Sequence, residues 1–75
     1  MELNDFIAKF AEQFEDTDPA VFTPETEFRN IDEWSSMTGL LIMAMVSDEY
    51  DKTLTADEFR KCETVEDVFN VVASK

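Results

Sequence analysis

The sequence predicts an all-α fold: a four-helix bundle with three principal helices, one short helix and a long first loop. Apolar residues recur at steps of three and four in several segments, which is the spacing of a helix face. The valine-rich C-terminal segment does not alternate as a strand would, and no second strand is available to pair with it. Seventy-five residues suffice for one small core, so residues 1–75 are expected to form a single domain.

The first helix is predicted from Leu3 to about Glu15, because its large apolar side chains share one face. Those side chains are Leu3, Phe6, Ile7, Phe10 and Phe14.

A long loop is predicted from Asp16 to Trp34, where the helical spacing breaks and two X-Pro steps interrupt the chain. A loop of this length needs anchors in a compact domain. The expected anchors are Val21, Phe22, Phe28, Ile31 and Trp34. The sequence also allows a short helical turn from Pro24, with Thr23 as its cap.

The second helix is predicted from about Ser36 to Asp51. Residues 40–46 are seven consecutive apolar residues, so this helix is apolar nearly all round. A domain of this size cannot bury one helix on every side. We therefore expect an exposed apolar strip near the N-terminal half of the helix.

Two further helices are predicted from their caps. Thr55 begins a short third helix that ends near Lys61, with Phe59 facing inward. Thr64 begins the fourth helix, with acidic residues in its first turn. Its inward face consists of Val65, Val68, Phe69 and Val72.

The chain is strongly acidic, with 18 acidic and 6 basic residues and a net charge of −12. This charge repels phosphate backbones and anionic lipid, so nucleic acid and membranes are poor partners. It attracts basic patches on other proteins and opposes self-association, which predicts a monomer. The acidic N-terminus does not resemble a targeting segment, and no apolar run could span a bilayer. We expect a soluble cytoplasmic protein.

Several kinds of active site are excluded by residue type. The absence of histidine rules out a Ser–His–acid triad, and Cys62 alone offers neither a zinc site nor an internal disulfide. Gly39 is the only glycine, so no glycine-rich phosphate loop exists. Residues 48–59 resemble an EF-hand loop only superficially. The positions that require oxygen ligands and a glycine hold other residue types, such as Tyr50, Lys52 and Thr53. The chain is not expected to be an enzyme.

Two adjacent serines mark the start of the second helix. Ser35 is placed as its N-cap, and Ser36 is then the first helical residue with a free hydroxyl. An anion joined to Ser36 would lie near the positive end of the helix dipole. Either the serines are simply a cap and its neighbour, or something is attached there.

The segment Trp34-Ser35-Ser36-Met37, followed by an apolar helix, resembles the acyl carrier protein family. In that family an Asp-Ser-Leu motif carries 4′-phosphopantetheine on its serine. Ser36 matches this serine and Met37 matches the leucine. The likeness covers nearly the whole chain and implies an acyl-carrier-like four-helix bundle. Its further matches are residues 28–31 of the loop, residues 48–50, Leu54, Phe59, and residues 64–68.

The resemblance implies that a phosphopantetheinyl transferase attaches the arm of coenzyme A to Ser36, with Ser35 as the fallback position. The arm would hold acyl intermediates as thioesters for enzymes of fatty-acid, polyketide or related biosynthesis. The expected partners also include an acyl-loading ligase or synthase with basic docking patches. The predicted docking residues are the apolar Met37, Leu40, Leu41 and Ala44 and the acidic Asp48, Glu49 and Asp51.

Three positions depart from the family pattern. Ser35 replaces the usual aspartate, and Leu41 and Ser47 stand where family members often carry acids. Two alternatives therefore stay open. One is a peptidyl or aminoacyl carrier, and the other is an unmodified interaction module that docks through its second helix.

Overall fold

The computed structural model describes all residues from Met1 to Lys75 and contains four α-helices and no strand. The all-α prediction is therefore confirmed. The helices are α1 (Leu3–Ala11), α2 (Ser36–Tyr50), α3 (Ala56–Arg60) and α4 (Val65–Ala73). Two 3₁₀ turns, Pro19–Val21 and Phe28–Asn30, lie in the loop between α1 and α2. None of these helices has the length and apolar character needed to cross a membrane.

Helix α1 ends at Ala11, so the prediction of a helix to about Glu15 is wrong at its C-terminal end. Beyond Ala11 the amides of Gln13 and Phe14 donate to carbonyls three residues earlier, at 3.2 and 3.0 Å. The residues that follow are rich in carboxylates, which are unfavourable at the negative end of a helix dipole. Phe14 nevertheless reaches the core.

No helix forms at Pro24, but a single turn does. The amide of Thr26 donates to the carbonyl of Thr23 at 3.1 Å, and the hydroxyl oxygen of Thr26 accepts a hydrogen bond from the amide of Thr23 at 2.8 Å. The carbonyls of Thr26 and Pro24 accept hydrogen bonds from the amides of Val65 and Glu66, at 3.1 and 3.0 Å. Because these loop carbonyls bind amides in the first turn of α4, which lack partners within their own helix, they cannot serve a local helix.

Most of the predicted loop anchors hold the loop against the helices. Phe22 and Phe28 are buried, and Ile31 and Trp34 are partly buried against the core. Val21 is wrong as an anchor, since its side chain is 48% exposed. It lies in the first 3₁₀ turn, where Phe22 provides the inward side chain.

The predicted caps of the last two helices are confirmed. Thr55 and Glu58 form a capping box at α3, with hydrogen bonds of 3.0 and 3.2 Å. Thr64 and Asp67 form a second capping box at α4, with both bonds at 3.1 Å. At the C-terminal end of α2, Asp51 adopts a left-handed conformation with φ of 53°. Each end therefore has a local partner for backbone groups that the helix leaves free.

Aromatic rings connect the loop to the helices through the core. The ring centroid of Phe28 lies 5.4 Å from that of Phe10 in α1 and 5.4 Å from that of Phe59 in α3. Phe28 and Phe59 are nearly parallel, at 6°. The loop is therefore part of the core, and it places Trp34 beside α3, with 6.0 Å between the ring centroids of Trp34 and Phe59.

Candidate functional site

The start of α2 leaves one of its two serine hydroxyls free. The Oγ of Ser35 accepts a hydrogen bond from the amide of Thr38 at 3.3 Å and lies 3.3 Å from the Thr38 hydroxyl. Ser35 has extended backbone angles and is the N-cap, as the sequence predicts. Ser36 is the first helical residue and is exposed, and its hydroxyl has no hydrogen-bond partner in the protein.

Ser36 lies at the edge of a hollow of about 220 Å³ between the start of α2 and α3, which we call the Ser36 groove. Its walls come from the second 3₁₀ turn, the loop end, α2 and α3. The groove is lined by Arg29, Trp34, Ser36, Gly39, Leu40, Met43, Ala56, Phe59 and Arg60.

Gly39 allows aromatic rings to approach α2 closely at the base of this groove. A Cβ atom at Gly39 would lie 3.2 Å from Cη2 of Trp34 and 3.3 Å from Cε2 of Phe59. Both distances are shorter than ordinary van der Waals contacts. The sole glycine is therefore used for close packing beside the free serine, and not for a turn.

Arg29 is held in place by backbone carbonyls and aromatic rings. Its Nη2 donates to the carbonyl of Phe59 at 2.8 Å, and its Nη1 donates to the carbonyl of Cys62. The guanidinium carbon lies 4.8 Å from the ring centroid of Phe28 and 5.4 Å from that of Phe59. These contacts join the loop to the end of α3 and fix a positive charge at the Ser36 groove.

Arg60 of α3 is the second basic residue that lines the groove. Its Nη2 pairs with the carboxylate of Asp57 one turn earlier. The two side chains are 71% and 78% exposed, so the pair is weakly held.

The seven predicted docking residues all lie on the surface. Met37, Leu40 and Leu41 are 65%, 60% and 44% exposed, which places a large apolar surface near the N-terminal half of α2. Leu40 lines the Ser36 groove. Leu41 and Ala44 line a different hollow, of about 230 Å³, between α1 and α2. The apolar residues therefore form a ridge between two hollows and do not line a single pocket.

The acidic docking residues follow this ridge toward the end of α2. Asp48 and Glu49 line the hollow between α1 and α2, where Lys9 is the only basic residue. Asp51 lies beyond it at the helix end. Docking by these seven residues remains a prediction.

Cys62 is buried, and its Sγ donates to the carbonyl of Glu58 at 3.4 Å. Burial raises the pKa of its thiol, and the nearby carboxylate of Asp67 adds to this effect. Cys62 is therefore a packed thiol with little thiolate character.

Sequence reasoning missed the two arginines and the packing role of Gly39. One signal was available, because Arg29 and Arg60 are the only arginines in a chain with 18 carboxylates. They lie far apart in sequence, so only the fold shows that they share a groove with Ser36.

No protein-family model matches this chain, and no curated protein or solved structure matches it. The function must therefore be argued from the site. No cluster of histidine, cysteine, aspartate and glutamate side chains suited to a metal ion is formed.

Proposed function

We propose that this chain is an acyl carrier protein that carries 4′-phosphopantetheine on Ser36. The observation that carries the proposal is the free, exposed hydroxyl at the first residue of α2, beside an open groove and an exposed apolar ridge. Its neighbour Ser35 already uses its hydroxyl as the helix cap. This difference favours Ser36 over Ser35 as the attachment point.

The order and lengths of the elements support an acyl-carrier-like arrangement. A first helix, a long anchored loop, an apolar second helix, a short third helix and a capped fourth helix follow one another. This is the order that the resemblance implies. It complements the short motif around Ser36, which alone is a weak signal.

The residues around Ser36 are suited to an attached phosphate group. The first amides of α2 and the positive end of its dipole favour an anion there. In the proposed attachment, the Ser36 Oγ forms a P–O bond to the pantetheine-side phosphorus of coenzyme A. Adenosine 3′,5′-bisphosphate leaves, and the hydroxyl proton passes to a base of the transferase. When bound, the arm supplies a thiol that holds an acyl group as a thioester.

The proposed partners are the transferase and acyl-loading ligases or synthases with basic docking patches, acting in fatty-acid, polyketide or related biosynthesis in the cytoplasm. The ridge of Met37, Leu40 and Leu41 would supply apolar contacts. Asp48 and Glu49 would pair with basic residues on the partner and speed the encounter at low salt. The domain itself contributes tethering, which raises the effective concentration of the bound group at each enzyme.

The test is the intact mass of the protein after incubation with coenzyme A and a broad-specificity phosphopantetheinyl transferase, followed by peptide mapping. We expect one added phosphopantetheine on Ser36 and none on the Ser36→Ala variant. Ser35→Ala is the matched control and should retain loading, while losing about 1 kcal/mol of stability with the cap. Loading that survives in Ser36→Ala but not in Ser35→Ala would move the site to Ser35.

Docking can be tested in the same reaction with Met37→Gln and Leu41→Gln. Each should lower kcat/KM for loading by roughly tenfold if it contributes an interface contact of about 1.4 kcal/mol. Val21→Gln is the control, because Val21 is 48% exposed but lies in the loop and not on α2. An equal loss in all three variants would argue against a docking ridge on α2.

A second candidate is an unmodified interaction module that binds partners through the same ridge. The exposed Met37 and Leu40 favour it, because exposed apolar side chains can bind a partner protein without an attached arm. The absence of loading with several transferases, in a protein shown to be helical, would support this candidate.

A further inference from the structure

We propose that the Ser36 groove is an anion-binding subsite, in which Arg29 and Arg60 bind a negatively charged group joined to Ser36 or carried on its arm. This inference rests on the proposed function for the identity of the group. It adds a preference for an anionic over a neutral group, which attachment to Ser36 does not itself require.

The charge of the groove lining is opposite in sign to the net charge of the protein. It contains two arginines and no carboxylate, in a chain with a net charge of −12. Each of the other three hollows is lined by at least two carboxylates. Both arginines of the chain therefore lie in the one hollow that contains Ser36.

Arg29 is a fixed cation without a carboxylate partner. The only two ion pairs in the protein are Arg60 with Asp57 and Lys75 with Glu58. Arg29 donates to two neutral carbonyls, which leaves other N–H groups of its guanidinium free and its charge uncompensated. Because these bonds and the rings of Phe28 and Phe59 hold it, an anion would not have to order this side chain.

Arg60 is the adaptable member of the pair. Its exposed interaction with Asp57 is weak enough to be exchanged for a bond to an anion in the groove. A guanidinium can bind phosphate or carboxylate oxygens through two parallel hydrogen bonds. A fixed cation and a movable one line the same groove, so both can donate hydrogen bonds to one anion.

Two sources could supply this anion. One is the phosphate next to Ser36, and the other is a carboxylate on a short acyl group folded back along the arm. The groove, of about 220 Å³, has room for either of these small anionic groups. The experiment must therefore separate phosphate from carboxylate.

The experiment uses the unloaded protein and four soluble ligands. Pantetheine and pantetheine 4′-phosphate differ by the phosphate, and S-acetylpantetheine and S-malonylpantetheine differ by one carboxylate. Trp34 is the only tryptophan and lines the groove, so its fluorescence reports occupancy directly. Amide shifts of Ser36 and Gly39 in NMR spectra localise the binding.

We expect a charged ligand to bind about fivefold more tightly than its neutral counterpart, with a preference that falls as salt is added. Preference within the first pair assigns the anion to phosphate, and preference within the second assigns it to a cargo carboxylate. Equal binding within both pairs would overturn the proposal.

Arg60→Gln should remove much of the preference, and Lys61→Gln is its matched control. Both residues are exposed and each variant removes one positive charge, but Lys61 does not line the groove. Equal losses in the two variants would show a general charge effect and overturn the subsite. The binding experiment uses no transferase, so the two experiments are independent. Equal binding of charged and neutral ligands would not affect the evidence for loading at Ser36. A lack of loading would not affect the measured ligand preference.

Discussion

The hydroxyl of Tyr50 is a polar group that the core does not satisfy. It is buried without a protein hydrogen-bond partner, and burial raises its pKa. Its ring packs on Phe6 at 5.8 Å between centroids, with the amine of Lys9 at 5.6 Å from the ring centroid. The ring therefore contributes packing while the oxygen lowers stability.

Tyr50→Phe should raise the free energy of unfolding by about 1 kcal/mol, because it removes the unsatisfied hydroxyl and keeps the ring. Chemical denaturation monitored by circular dichroism measures the change. A loss of stability would indicate that an ordered water satisfies this hydroxyl.

At Gly39, replacement by alanine has two opposing effects on stability: higher helix propensity and closer packing. Replacement of glycine by alanine in a helix gains about 1 kcal/mol from propensity alone. The new Cβ would press on Trp34 and Phe59 at 3.2 and 3.3 Å. Phe59 is stacked on Phe28 and has little room to move.

We therefore expect Gly39→Ala to lower the free energy of unfolding by about 1 kcal/mol, since overpacking costs roughly 1–3 kcal/mol and exceeds the gain. Denaturant unfolding gives the value, and a shift in Trp34 fluorescence would show that the ring has moved. An increase in stability would mean that the rings yield easily.

At the scale of an element, α4 depends on a charged cap. The carboxylate of Asp67 accepts hydrogen bonds from the amides of Glu63 and Thr64 at 3.0 and 3.1 Å. These bonds, first that from Glu63, lower the pKa of Asp67. The same end of α4 also binds the loop at Pro24 and Thr26, so the cap supports a tertiary contact as well.

Because the pKa of Asp67 is lower in the folded state, the unfolded chain takes up the proton first as pH falls. Asp67 therefore stabilises the fold above its unfolded pKa of about 3.9, and this contribution disappears as pH falls through the lower folded pKa. The difference in unfolding free energy between wild type and Asp67→Asn should be constant near pH 7 and shrink below about pH 4.

Denaturation of both proteins between neutral and acidic pH measures this difference. Glu66→Gln is the control, because it removes one charge from the same helical turn without removing a bond to the backbone. A difference for Asp67→Asn that does not change with pH would contradict the charged cap.

For the whole molecule, charge repulsion opposes a small core. The net charge is −12, and only two ion pairs supply local attraction against this repulsion, one of them largely exposed. The molecule measures 29 × 23 × 20 Å. A Debye length of about 30 Å at 0.01 M salt spans all of it, whereas about 8 Å at 0.15 M does not.

The melting temperature should therefore rise between 0.01 and 0.15 M sodium chloride, by roughly 4–8 °C for each kcal/mol of repulsion that is screened. Potassium chloride should give the same rise if screening is the cause. A fall in the melting temperature would mean that the two ion pairs outweigh the repulsion.

The sequence by itself determined the helices and their starting points. The spacing of apolar side chains and the caps Ser35, Thr55 and Thr64 are local features, and the structure places the helices where they indicate. The same local reasoning identified Ser36 as a free hydroxyl at a helix start. It failed for the helix at Pro24, because the carbonyls of Pro24 and Thr26 bind amides of α4. It also failed for Val21, because the neighbouring Phe22 provides the inward side chain of that turn.

Only the tertiary structure decided what surrounds Ser36. Arg29 comes from the loop, Gly39 from α2 and Arg60 from α3, and no local pattern relates residues so far apart in sequence. Their meeting depends on the stacking of Phe28 on Phe59 and on the bonds from Arg29 to the carbonyls of α3 and the residues that follow it. Helix starts are decided by interactions between near neighbours, whereas a groove exists only once distant segments have packed.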